Sequence, residues 1–111
     1  MFKTKEGRRE VKTFFDCIFI DNDKLSNGGI EYPVKLEYFK IITPEENVEA
    51  KYGIEIVKTE YKNGNVNVEN KKVKNVTDNG EEANRILTIL RDNEVTPIGM
   101  QDILEDMFAD V

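Results

Sequence analysis

The chain contains no histidine and only one cysteine, Cys17, in 111 residues. Without histidine, the Ser-His-Asp and Cys-His nucleophile systems, imidazole general bases and the usual zinc ligands are excluded. A lone cysteine builds neither a disulfide framework nor a thiolate cluster, and it suits a reducing compartment. The glycines form no phosphate loop. Gly28-Gly29 is not followed by Gly-Lys-Ser/Thr and a helix, and the dinucleotide fingerprint is missing. Long apolar runs are absent too. The longest, Phe14 to Ile20, is broken by Asp16 and is far too short to span a bilayer. No leader or lipid signal is visible, so a cytoplasmic protein with no membrane contact is expected.

What is present is charge. Charged residues make up 34% and hydrophobic ones 39%, and the β-branched and aromatic content is too high for a disordered chain. The length fits one domain, residues 1–111, with enough buried surface for a core. The net charge of −6 is unevenly spread. Residues 1–12 hold five basic and two acidic groups, whereas residues 78–111 hold nine acidic groups and only Arg85 and Arg91 as basic ones. Residues 1–9, with Lys3, Lys5, Arg8 and Arg9, read as a mobile basic N-terminus. Phosphates repel an acidic chain, so nucleic-acid binding is disfavoured.

Hydrophobic patterning predicts an α+β fold: an antiparallel sheet of about four strands (11–20, 34–42, 52–62 and 65–74) with a C-terminal helical hairpin (79–92 and 97–108) packed on one face. Asn63-Gly64 is the sharpest local signal, because a two-residue type I′ turn needs positive φ at both positions. It pairs Lys62 with Asn65, Tyr61 with Val66, Thr59 with Val68 and Lys58 with Glu69. Val57, Thr59, Tyr61, Val66 and Val68 then share a face, taken as the core face. In the first strand Phe15, Cys17 and Phe19 alternate with Phe14, Asp16, Ile18 and Ile20. Apolar groups on both sides point to burial on both sides or to a subunit contact. Phe14, Phe15, Phe19 and Phe39 read as core, and Cys17 as a buried small hydrophobe. Thr43-Pro44-Glu45-Glu46 reads as a helical turn closed by a capping box. Asp78 with Glu81 reads as the cap of the first helix, Asn93 as its left-handed terminus, and Thr96-Pro97 as the start of the second.

Asp102, Glu105 and Asp106 lie at i, i+3 and i+4, on one face of the last helix. Opposite the stripe of Met100, Ile103, Leu104, Met107 and Phe108, they read first as a solvated polar face. Such a face can accept a basic peptide, or bind a divalent cation weakly. No metal ligand set, cofactor or catalytic residue is assigned.

The string Tyr52 to Lys58 (YGIEIVK), together with Val95-Thr96-Pro97 and Asp102-Ile103-Leu104-Glu105-Asp106-Met107, resembles a family of short, uncharacterised proteins of clostridial-type Firmicutes, grouped as a domain of unknown function. The resemblance covers Tyr52 to about Met107. It implies a Gram-positive cytoplasmic setting and a stand-alone domain, and it carries no activity, cofactor or catalytic residue. The expected function is a small non-catalytic protein-binding or regulatory module, with Asp102, Glu105, Asp106, Lys3, Lys5, Arg8 and Arg9 as its interaction surface. The partner is another protein or a second copy. The alternatives are a carboxylate-based, metal-dependent hydrolase and, behind it, a nucleic-acid-binding domain using the basic N-terminus.

Overall fold

The structure, a computed structural model, describes residues 10–20, 32–45 and 48–108. Four strands, β1 (Val11–Ile20), β2 (Val34–Glu45), β3 (Val48–Lys62) and β4 (Asn65–Thr77), form one antiparallel sheet in the order β1-β2-β3-β4. Two helices follow, α1 (Gly80–Asp92) and α2 (Pro97–Met107), and pack on one face of the sheet. This is the α+β architecture that the patterning predicts.

The β3–β4 hairpin turns at Asn63 and Gly64, with φ of 48° and 82°. The register is the expected one: Lys62 faces Asn65, Tyr61 faces Val66, and Thr59 faces Val68. The core face is the other one. Helices cover Ile54 and Ile56 of β3, together with Val34, Leu36 and Tyr38 of β2. Tyr61, Val66 and Val68 point away from the helices and are exposed. Each fully buried Leu or Ile contributes roughly 2 kcal/mol through burial, so the helix-covered face dominates stability.

β1 departs from simple alternation. A bulge between Phe14 and Asp16 lets Phe15 join Ile18 and Ile20 against the core. Phe14 is left on the uncovered face, where its ring meets Phe39 edge-on at 5.7 Å. Phe14, Phe19 and Cys17 are exposed, so the core reading holds for Phe15 and fails for these three.

Thr43-Pro44-Glu45 is strand and not a helical turn; Glu46 lies outside the described residues. Pairing with β3 overrides the local capping pattern, and Pro44 sits at an irregularity between Thr43 and Glu45, where no ladder donor is required. β3 likewise begins earlier, at Val48, and β4 runs on to Thr77. Gly53 is obligatory. A Cβ there would collide with the Val73 carbonyl oxygen and lie 2.9 Å from Lys74 Cα. The ladder is interrupted at this point between Tyr52 and Ile54, and Asn75 takes φ of 57° on the opposing strand.

The cap of α1 is Asn79 and not Asp78. Its side chain accepts from the backbone N–H groups of Glu81 and Glu82 at 2.8 and 3.0 Å. At the other end the left-handed residue is Glu94, with φ of 53°, and not Asn93. The Glu94 N–H donates to the Arg91 carbonyl and the Val95 N–H to the Leu90 carbonyl, both at 3.0 Å, which is a Schellman closure. Val95 is thereby turned into the core, and its carbonyl accepts the buried Tyr38 hydroxyl at 2.9 Å. Burial raises the Tyr38 phenol far above its ordinary value, with the nearby charge of Glu94 adding to the shift.

Candidate interaction surfaces

Thr96 stands at the N-cap of α2 without a side-chain capping bond, and Pro97 occupies the first turn. The helix buries Met100 and Leu104 against the sheet, with Ile103 and Met107 partly buried beside them. Ile98, Gln101, Asp102 and Glu105 fall at i, i+3, i+4 and i+7, so they share the flank of α2 that faces β4. Between that flank and β4 runs a trough of about 610 Å³, with Glu69 and Lys71 on its strand side. A smaller hollow of about 260 Å³ continues it past Gln101 and Glu105 to Val73, Val76, Leu104 and Phe108. One end therefore sets three carboxylates against Lys71, and the other is mostly apolar, with Lys74 and Asn75 also along it. Ile98 is 81% exposed at its rim.

The structure brings Asp102 and Glu105 together in this trough, and Asp106 is exposed on α2 outside it. Gln101 Nε2 donates weakly to Glu105 at 3.4 Å. Lys3, Lys5, Arg8 and Arg9 lie outside the described residues. Ile98 was missed, although an isolated apolar residue within an otherwise polar helix flank is the signal that marks it.

The opposite side of the molecule carries a second surface. Phe14, Phe19, Tyr61, Val66 and Val68 are exposed on the sheet face away from α1 and α2. At one end this face is strapped by ion pairs. Lys12 reaches across to Glu55 at 3.3 Å, and Glu10 meets Lys72 at 3.0 Å and also Lys74, although β1 and β4 are opposite edges of the sheet. The sheet must curl for these contacts to form. The two lysines, Lys74 first, hold the Glu10 carboxyl below the usual range. Glu55, only 5% exposed, also accepts from Asn70 Nδ2 at 2.7 Å. Ile41 is buried on this same face. Among the described residues, no three His, Cys, Asp or Glu side chains converge to hold a metal ion, and no helix is long and apolar enough to cross a membrane.

A helical hairpin over one face of a four-stranded antiparallel meander, flanked by an acidic trough, defines a small two-layer α+β protein. Residues 20–110 match a family described as a family of unknown function (DUF6514), and the chain belongs to that family. No curated protein and no solved structure matches the chain.

Proposed function

We propose that the chain is a small non-catalytic protein-binding module, acting in a Gram-positive (Firmicutes) cytoplasm, whose α2–β4 trough receives a basic amphipathic segment of another protein. The observation that carries this reading is the pairing, in one trough, of the carboxylates of Asp102, Glu105 and Glu69 with the apolar rim of Ile98 and the apolar hollow at Leu104 and Phe108. Helix-in-groove recognition uses such a mixture, with apolar anchors supplying affinity and charge supplying orientation and on-rate.

The probe is a synthetic peptide alternating Lys and Leu, titrated by fluorescence anisotropy. Binding is expected to weaken about tenfold, equivalent to ~1.4 kcal/mol, on Ile98→Ser and again on Asp102→Asn/Glu105→Gln, and to fall with added salt. An acidic peptide of equal hydrophobicity that binds as well, or variants that bind as the parent does, would sink the reading.

The hydrolase alternative draws support from Asp102 and Glu105 sharing a cleft, but Asp106 lies outside it. Against the nucleic-acid alternative, two further basic groups, Lys72 and Lys74, are already engaged by Glu10.

A further inference from the structure

The sheet face away from the helices is built from cross-strand rows. Phe19, Lys35, Thr59 and Val68 form one row. Cys17, Glu37, Val57 and Asn70 form the next, with Tyr61 and Val66 beyond at the hairpin end. Phe19 and Tyr61 touch, with ring centroids 6.1 Å apart, and Phe19, Val66 and Val68 are each more than half exposed. Antiparallel sheets that face water on one side normally carry polar residues there. Exposed apolar side chains on β1, β3 and β4, with polar Lys35, Glu37, Thr59 and Asn70 among them, resemble a sheet face that another layer covers.

We propose that this face is the contact between two copies of the chain, packed sheet on sheet about a twofold axis. Three observations select a second copy as the occupant. First, most of the charge on the face is already matched within the chain: Lys35 with Glu37 at 3.9 Å, Lys12 with Glu55 at 3.3 Å, and Lys72 and Lys74 together with Glu10. A face left with so little net charge calls for no strongly charged partner, and an isologous contact between two such faces brings few like charges together. Second, the area fits. Four strands at about 4.8 Å spacing, open over about eight residues of about 3.3 Å rise, give on the order of 500 Å² per copy. The pair then shares about 1,000 Å², at the small end of specific interfaces. Third, the cross-strand ion pairs lie at the Glu10–Lys12 end, and Phe19, Tyr61 and Val68 at the other end stand exposed.

Cys17 is the chain's one cysteine, and its exposed thiol lies on this face, where alkylation reports occupancy without any added probe. Sedimentation velocity of the full chain across the micromolar range should show a monomer–dimer equilibrium. The rate of Cys17 alkylation should fall as the dimer fills. Val66→Asp/Val68→Asp should weaken dimerisation by at least tenfold and return Cys17 to the monomer rate. Ile98→Asp, on the helix side, should leave the dimer intact. Added salt should strengthen the dimer by screening the net charge of −6 on each copy. It should weaken peptide binding in the trough, so the two surfaces fail separately. Three results would each overturn the proposal. One is a monomer at every concentration with constant alkylation. Another is a monomer whose Cys17 is protected at every dilution, which would place residues 21–31 of the same chain over the face. The third is a dimer that survives Val66→Asp/Val68→Asp.

Discussion

Gly53 and Glu94 are two backbone positions where the residue present matters in opposite senses. At Gly53 the neighbouring strand lies where a side chain would be, and the obstructing atoms are main chain, which cannot rotate away. Gly53→Ala should cost roughly 2–3 kcal/mol, the range for overpacking a close-packed site. It should appear in chemical denaturation as a lower midpoint with an unchanged slope. Glu94 holds a left-handed conformation that disfavours every side chain but glycine's absent one. Glu94→Gly should therefore stabilise the protein by about 0.5–1 kcal/mol, the left-handed penalty less the extra chain entropy of glycine. A variant no more stable than the parent would mean that the Schellman closure gains from the glutamate side chain itself. Neither position is marked in the sequence by more than a hint. A glycine inside a strand suggests a close approach, and Gly53 fits that rule. Nothing in the letters Asn93-Glu94 says which of the two turns left-handed, because the choice is made by the backbone bond from Val95 to Leu90.

At the scale of elements, β1 and α1 are tied by Arg91, whose guanidinium lies 2.9 Å from Asp16 and over the ring of Phe15. The backbone N–H of Cys17 and then Arg91 pull the Asp16 carboxyl below its ordinary value. A depressed carboxylate contributes stability above its unfolded pKa and loses it as the pH falls through the folded value. Asp16→Asn should therefore lower the melting temperature at neutral pH, and the gap to the parent should close in acid. A gap of constant size would assign the effect to packing at the bulge. Strand existence and the β3–β4 hairpin register were legible, the register because Asn63-Gly64 admits one turn type and fixes the pairs next to it; the order of the strands was not. The covered face was not. On β3 the face with Ile54 and Ile56 continues into Lys58 and Glu60, while the face with Val57, Thr59 and Tyr61 is the better strand pattern; only the position of the helices decides between them. The bulge at Phe15 has no glycine to announce it. Thr43-Pro44 carries a helix-start signature that ladder pairing overrides. Of the trough, the acidic face of α2 was legible and the facing strand was not, since the contact joins residues about thirty positions apart in the chain.

For the whole molecule, the carboxylate trough separates the binding and hydrolase readings through its response to ions. Millimolar Mg²⁺, Ca²⁺ or Zn²⁺ is expected to leave the melting temperature where it is, because exposed carboxylates with no converging third ligand hold such ions weakly. A saturable rise would move the hydrolase reading ahead, since any ligand of the native state must stabilise it. The outer strand carries a different consequence. β4 is an edge, and an edge invites a stranger's strand to join the ladder. Here the invitation is withdrawn: Lys71, Lys72 and Lys74 crowd the strand, the last two bridged to Glu10, and at Asn75 the backbone kinks out of regular pairing. Lateral growth into fibrils is blocked on that side by charge and shape together. On that side, whatever the chain assembles with comes to the sheet from above or below.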